Sequence, residues 1–365
     1  KDFVNIGEAI KIYAHMVYAH NLTSISGGSV VLNETIATTN STGWAIFNVT
    51  ANSPSSYVYL ARGLRDGAGL ITLADNYQSH RFTWTAINVS HIFTNATLSP
   101  VNGTVKIIIR AVWAHNGSGI PGALVTLKTN YTTQQAYTNS SGYAVFNVTA
   151  GKVGEYSYNT TGGEAYGITR MLEPKSVNIK FGTKRYVTLN LRKGYNLITL
   201  PLLNESLTAS SLLFLVGNSS QSIFMFNASS QTWVSYDKKL VEFGIPQPDF
   251  KIEPNVGYFI YVTNDTSVTM VGIENVFKRI IPLRKGYNLI GWTYLNSSSV
   301  LETFIDYSSS IESVFMFNET TQRYISYDRK VAEFGIPQPN FKILPGHAYF
   351  VYANKDDYLY YEGGV

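Results

Sequence analysis

Lys11-Ile-Tyr-Ala-His-Met-Val-Tyr-Ala-His-Asn21 and Lys106-Ile-Ile-Ile-Arg-Ala-Val-Trp-Ala-His-Asn116 are one stretch written twice, 95 residues apart. Ile10, Ile12, Ala14, Met16 and Tyr18 alternate with polar or outward positions, and Ile107, Ile109, Ala111 and Trp113 do the same. A period of two is the mark of a strand with one face buried. Downstream, Ser41-Thr-Gly-Trp-Ala-Ile-Phe-Asn-Val-Thr50 matches Ser140-Ser-Gly-Tyr-Ala-Val-Phe-Asn-Val-Thr149 at an offset of 99. The change of offset places an insertion of four residues between the two blocks, in a hairpin.

A second duplication fills the C-terminal half. Arg192-Lys-Gly-Tyr-Asn-Leu-Ile198 recurs as Arg284-Lys-Gly-Tyr-Asn-Leu-Ile290, and Phe243-Gly-Ile-Pro-Gln-Pro248 recurs as Phe334-Gly-Ile-Pro-Gln-Pro339, at offsets of 92 and 91. The chain therefore reads as four modules of about 90 residues, A, A′, B and B′. The expected fold is all-β: four tandem β-sandwich or β-barrel-like modules spanning 1–100, 101–187, 188–279 and 280–365. Gly, Asn, Ser and Pro punctuate the apolar runs at the spacing of short strands. Only 206–216 and 299–307 carry helical spacing, which gives each B module one short helix.

The composition points outside the cell. Eighteen Asn-x-Ser/Thr sequons begin at Asn21, Asn33, Asn40, Asn48, Asn88, Asn95, Asn102, Asn116, Asn130, Asn139, Asn147, Asn159, Asn204, Asn218, Asn227, Asn264, Asn296 and Asn318. With 29 Asn and 66 Ser or Thr in 365 residues, chance gives about 5, and a sequon is a glycan acceptor on an exported surface. Asn48 and Asn147 each end an apolar run and read as the hardest to modify. Charged residues are only 14% of the chain, so hydroxyls, amides and glycans must keep the surface wet. The net charge of +4 gives no footprint for nucleic acid. Cysteine is absent, whereas small secreted eukaryotic domains lean on disulfides; dense sequons without cysteine suit an archaeal surface protein. The shortage of Lys and Glu argues against a hyperthermophile. The chain opens at Lys1 with no signal peptide and no apolar run near the ~20 residues of a bilayer span, as expected of a mature or partial form.

Ala114-His-Asn-Gly-Ser-Gly-Ile-Pro-Gly-Ala-Leu-Val-Thr-Leu127 followed by Ser140-Ser-Gly-Tyr-Ala-Val-Phe146 resembles bacterial Ig-like domains of surface proteins, with Ser26-Gly-Gly28 replacing Pro-Gly in A. The B modules resemble a β-rich module repeated in archaeal and bacterial surface proteins. Its outline is Gly-aromatic-Asn-Leu-Ile, Leu-Pro-Leu, a Trp-x-x-Tyr turn and a Pro-x-x-Gly-Tyr-aromatic strand, here Gly194 to Ile198, Leu200-Pro-Leu202, Trp233 to Tyr236 and Pro254 to Phe259. B′ departs from it with Gly291-Trp-Thr293 and Tyr324. The resemblance implies an extracellular structural or binding module without catalysis.

No nucleophile or phosphate-loop signature appears, and no enzyme is expected. His20 and His115 share a repeat position and read as turn residues; His15, His80, His91 and His347 lack ligand spacing, so no metal site is expected. Asp237, Glu242, Asp249, Asp328 and Glu333 are too sparse for a calcium loop; calcium has no support and no cofactor is expected. Trp233, Tyr236, Tyr324 and Tyr327 are either a sugar platform or strand packing. The double-proline segments cannot lie in a central strand; they are either contact surfaces or rigid connectors, with room for a cis bond. Residues 1–20 and 231–263 carry no sequon, and 1–20 alternates well enough to be donated to a neighbour. Ile10, Ile12, Phe243, Pro246, Pro248, Phe334, Pro337 and Pro339 are thus the candidate assembly contacts. The expected function is a subunit of an archaeal S-layer, surface filament or coat that associates with itself; an adhesin or glycan-binding module, or the accessory region of a secreted enzyme, stays open.

Overall fold

The computed structural model describes residues 2–68, 78–204 and 206–361. In module A the strands are β1 (Phe3–Asn5), β2 (Ile10–His15), β3 (Ser29–Leu32), β4 (Thr35–Thr38), β5 (Trp44–Val49), β6 (Ser55–Arg65) and β7 (Gln78–Thr85). β8 (Ile87–Thr94) leads into A′, whose strands are β9 (Leu98–Pro100), β10 (Val105–Trp113), β11 (Leu124–Lys128), β12 (Thr133–Tyr137), β13 (Tyr143–Val148), β14 (Gly154–Glu164) and β15 (Ser176–Gly182). B runs through β16 (Lys184–Leu191), β17 (Gly194–Ile198), α1 (Ala209–Val216), β18 (Ser220–Asn227), β19 (Thr232–Asp237), α2 (Lys238–Glu242), β20 (Tyr258–Val262) and β21 (Thr266–Ile273). B′ runs through β22 (Arg279–Leu283), β23 (Gly286–Gly291), β24 (Ser298–Ser299), a π-helical turn (Leu301–Ile305), β25 (Ile311–Asn318), β26 (Arg323–Asp328), α3 (Arg329–Glu333), β27 (Lys342–Ile343), β28 (Ala348–Ala353) and β29 (Asp357–Tyr361). The fold is all-β with tandem modules.

The chain forms two compact units. One comprises 1–96, 105–148 and 156–178, and the other 97–104, 149–155 and 179–365. In the first, β1-β7-β6-β3-β4 form one sheet of A, with β1 parallel to β7, and β2 pairs antiparallel with β5. Alternation sends Ala45 and Phe47 inward with Met16, Ile25, Val30 and Leu32, while Trp44, Ile46 and Asn48 face out. In A′, β10 lies between β13 and β8, and β11 pairs with β12 and β14.

The duplication is visible in atoms. Gly43 and Gly142 hold φ of +78° and +83°, and a Cβ on either would run into a backbone carbonyl, of Met16 at 2.9 Å or Ala111 at 2.6 Å. Only glycine fits such a turn without strain. Buried Thr39 donates to the Ile25 carbonyl at 2.6 Å and accepts from the Gly28 amide at 2.8 Å. Thr138 makes the same two bonds to Ile120 and Ala123. The four-residue insertion falls where expected, between β11 and β12, against the tight turn at Asn33 between β3 and β4. Residues 3–5 and 10–15, read as a segment to be donated, are paired within module A itself, so they build this sandwich.

In the second unit B and B′ repeat one plan: a four-stranded sheet, β17-β20-β18-β19 or β23-β28-β25-β26, and a two-stranded one, β16-β21 or β22-β29. Leu212, Leu213, Ile223, Tyr258 and Ile260 centre the B core; Phe304, Val314, Ile343, Tyr349 and Val351 centre that of B′. Truncating a buried aromatic such as Phe304 to Ala costs about 3–5 kcal/mol. Each B module has two short helical segments rather than one. The second, α2 or α3, starts on an aspartate: Asp237 accepts from the amides of Lys239 and Leu240, and Asp328 from that of Val331. A five-residue helix with no buried side chain carries too little apolar periodicity to show in sequence.

Candidate functional site

The motif Gly-Tyr-Asn-Leu-Ile builds a reciprocal junction between B and B′. Gln231, in the β18–β19 turn at φ +54°, donates through Nε2 to the Tyr287 carbonyl at 2.8 Å and accepts through Oε1 from the Tyr287 amide at 2.9 Å. Gln322, also at φ +54°, makes the mirror pair with Tyr195 at 3.0 Å each. A side-chain amide thus pairs with backbone as a strand would. Gly194 and Gly286 permit the approach: a Cβ would meet Gln322 or Gln231 Oε1 at 2.9 and 2.8 Å. The buried Asn of the motif closes the preceding turn, with Asn196 bonding both amide and carbonyl of Arg192, and Asn288 those of Arg284. An exposed ion pair finishes it, Arg192 with Asp265 and Arg284 with Asp356.

Between the two four-stranded sheets lies an apolar seam of Leu197, Leu289, Phe317 and Ala348, edged by aromatic rings. Two grooves flank it. Tyr195, Phe224, Trp233, Phe259, Phe317 and Gln322 line one of about 550 Å³. Phe226, Trp233, Tyr287, Phe315, Tyr324 and Phe350 line the other, of about 370 Å³. The rings meet edge to face, as Phe259 and Phe317 do at 5.2 Å and 89°, the arrangement that the ring quadrupole favours. Trp233 and Tyr324 are half-exposed here. Tyr236 and Tyr327 pack instead against the cores of B and B′, so the four aromatics do not form one platform. No charged side chain lines either groove, and the Gln322 amide is engaged with Tyr195. Such grooves offer ring faces to apolar matter and few partners for sugar hydroxyls.

The double-proline segments divide into two parts. Gly244 and Gly335, at φ +77° and +79°, end α2 and α3. Ile245 and Gly244 amides return to the Leu240 and Val241 carbonyls, and Ile336 and Gly335 amides to those of Val331 and Ala332. Gly-Ile-Pro is therefore a helix stop closed by the paired bonds of a Schellman motif, and the described residues contain no cis peptide. The stop does not explain the phenylalanines: Phe243 is 79% exposed and Phe334 82%. Pro246, Pro248, Pro337 and Pro339 lie beside them, also exposed. In B, α1 adds Phe214 and Leu215 to the exposed apolar side chains. Ile10 and Ile12 are half-buried on β2, packed against the two cores of module A.

Fifteen of the eighteen sequon asparagines are exposed and Asn88, Asn204 and Asn318 are intermediate. Asn48 and Asn147, read as the hardest to modify, face solvent because strand alternation sends Phe47 and Phe146 inward. The constrained one is Asn88, whose Oδ1 is buried without a partner. At Asn21, Asn40, Asn116 and Asn204, Oδ1 accepts from both the amide and the hydroxyl of the sequon Thr or Ser. These Asx turns hold the carboxamide outward.

The remaining candidates are satisfied locally. Asp249 accepts from the Ser210 amide and hydroxyl at 2.8 and 2.6 Å; burial works against its charge, but those bonds prevail and its carboxyl sits below the ordinary value. Glu242 and Glu333 close α2 and α3. The histidines are dispersed: His15 stacks on Trp44, His91 on Phe93, His115 bonds Thr85, His80 faces Asp2, His347 faces Glu319, and His20 is tilted against Tyr18. Among the described residues no three His, Asp or Glu gather in one place. Asp66-Gly-Ala-Gly69 ends outside the described residues. Two cations that sequence gave no reason to single out do structural work. Lys238 donates to the Leu213 and Gly217 carbonyls at the end of α1, and Arg329 to those of Ile305, Ser308 and Ile311. No described helix is long and apolar enough to cross a membrane.

No family model matches the sequence, and no curated protein matches it. Among solved structures, the C-terminal 282-residue fragment of intimin, in complex with the intimin-binding domain of its translocated receptor, is similar over 74% of this chain and 97% of that one, at 12% identity and a TM-score of 0.30. A tetra-tandem repeat from the extending region of a large adhesion protein is similar over 93% and 91%, at 9% identity and a TM-score of 0.22. The adhesin InvE of Yersinia pseudotuberculosis is similar over 50% and 56%, at 10% identity and 0.23. Scores this low carry no argument about what this chain binds.

Proposed function

We propose that this chain is a non-catalytic, N-glycosylated structural protein of an archaeal cell surface, a subunit of an S-layer, filament or coat that associates with itself. The observation that carries the reading is the pair of exposed phenylalanines, Phe243 and Phe334, held at the same place in B and B′ by the same helix stop. Large apolar side chains left in water at a duplicated position mark a contact surface. The low charge of the chain and its many outward sequons support an extracellular surface protein. A Phe243→Ala, Phe334→Ala chain, expressed with its glycans, should stay monomeric in sedimentation velocity at concentrations where the parent polymerises, with unchanged thermal unfolding. Normal polymerisation of that variant would refute the reading. Adhesion to an apolar partner surface is the second reading, favoured by the half-exposed Trp233 and Tyr324 in the aromatic grooves; it predicts that Trp233→Ala abolishes attachment to cells.

A further inference from the structure

Modules A and A′ differ by one strand. In A′, β8 covers the outer edge of β10: Thr94 lies opposite Ile107, Ile92 opposite Ile109, Val89 opposite Ala111 and Ile87 opposite Trp113. The equivalent strand of A is β2, and among the described residues nothing pairs with its outer edge. The cost is visible in burial. Ile107 and Ile109 are fully buried, whereas Ile12 and Ala14, at the same repeat positions, are half-exposed. A groove of about 490 Å³ runs along that edge, lined by Ile12, Ala14, Met16, Tyr59, Ala61 and His80 among others. In A′ the matching edge is covered by β8, whose Ile87 and Val89 are both fully buried.

We propose that module A is an acceptor for a β-strand of the β8 type, laid antiparallel on the open edge of β2 by polypeptide leading into the module, as β8 leads into A′. The occupant is inferred from A′, where the segment immediately ahead of the module, β8, fills the matching edge of β10. Repeat register fixes the occupant's chemistry: small β-branched or aliphatic residues opposite Ile12, Ala14, Met16 and Tyr18, with an irregularity opposite His15 and Met16 where β10 has its register shift. Main-chain bonds would supply affinity and the alternating pockets selectivity. This inference does not depend on the surface-polymer reading, because it concerns completion of one sandwich.

The probe is a peptide with the sequence of residues 86–96, added to the 1–365 chain at about millimolar concentration, with hydrogen exchange followed by mass spectrometry. Exchange across residues 10–18 should slow by about tenfold or more, and a peptide with proline in place of Val89 should leave it unchanged, because proline cannot donate to the ladder. A second chain carries residues 86–95 copied directly ahead of Lys1, which reproduces the spacing of β8 to A′. Its β2 amides should be protected without added peptide, and the unfolding temperature of module A should rise. Unchanged exchange in both experiments, or equal protection by the proline peptide, would overturn the proposal.

Discussion

Replacing both Gln231 and Gln322 by Ala removes the reciprocal hydrogen bonds that join B to B′ while leaving each core untouched. Six bonds are lost: two to the backbone of Tyr287 and two to that of Tyr195, at 2.8 to 3.0 Å, and one within each turn, to the Ala228 and Glu319 carbonyls at 2.6 Å. A typical bond contributes about 0.5–1.5 kcal/mol net. All six lie at exposed positions, so water can replace the lost partners, and the lower half of that range applies, giving about 3–6 kcal/mol in total. Relief at Gly194 and Gly286 works the other way only slightly, since both already lack a Cβ. The test is guanidinium unfolding of a 188–365 fragment, once shown to fold, beside the full chain, with the aromatic seam reported by Trp233 fluorescence. The double variant should lose about 3–6 kcal/mol, and its transition should separate into two, because the joint is what couples the modules. A loss below about 0.5 kcal/mol, with one transition retained, would show that the aromatic seam alone holds the modules together and that the reading of Gln as a strand surrogate is wrong.

Two further expectations follow from particular residues. Glycopeptide mapping of the natural protein should find Asn48 and Asn147 occupied and Asn88 empty, since alternation turns the first two outward while Asn88 Oδ1 is buried; occupancy of fewer than about a third of all sites would undercut the coat reading. The carboxyls of Asp265 and Asp356 are held below their ordinary value, chiefly by the backbone amides of Lys193 and Lys285 and also by Arg192 and Arg284. A depressed folded-state value means that this stabilisation is present above the unfolded carboxyl value near 3.9 and is lost as pH falls through the lower folded one. The unfolding temperature of the B modules should therefore hold from pH 7 to about 5 and drop below about 4, and an Asp265→Asn, Asp356→Asn chain should show a flatter profile; identical profiles would exclude these two groups.

The repeats were legible because duplication writes the same constraint twice. Gly43 and Gly142, or Gly194 and Gly286, stand at matching positions, and each turned out to be a place where a Cβ would collide with a neighbour. Strand faces were legible too, since Ala-Ile-Phe-Asn and Ala-Val-Phe-Asn alternate cleanly, although the outward direction of Asn48 and Asn147 needed the register as well as the period. What sequence could not give was pairing across long separations. Gln231 and Tyr287 are 56 residues apart, and nothing in a lone Gln signals that its amide will serve as a backbone surrogate. Nor could alternation reveal that β2 has an open edge among the described residues, because Ile10, Ile12 and Ala14 read the same whether or not a strand covers them. Trp233, Tyr236, Tyr324 and Tyr327 looked alike in sequence; position along β19 and β26 separates them, the first of each pair facing the seam and the second the module's own core.

The two bare features of the B modules answer different needs. The aromatic grooves are already half satisfied, because Phe226, Trp233 and Phe259 pack against Phe350 or Phe317 of the partner module, and Trp233, Tyr324, Tyr195 and Tyr287 are about half exposed. Phe243 and Phe334 have no such shelter. An unsheltered phenylalanine forgoes most of the roughly 1.5–3 kcal/mol that burial of its side chain would contribute, and here the position carries one in both copies. Alanine would serve the helix stop equally well, since the stop rests on Gly244 and Gly335 and on backbone bonds. The ring therefore has no function inside the module. If a neighbour buries both rings, the double alanine chain forfeits about 3–6 kcal/mol of association, a hundredfold or more in affinity, while its fold is untouched. That separation of assembly from stability is what distinguishes a contact surface from a connector.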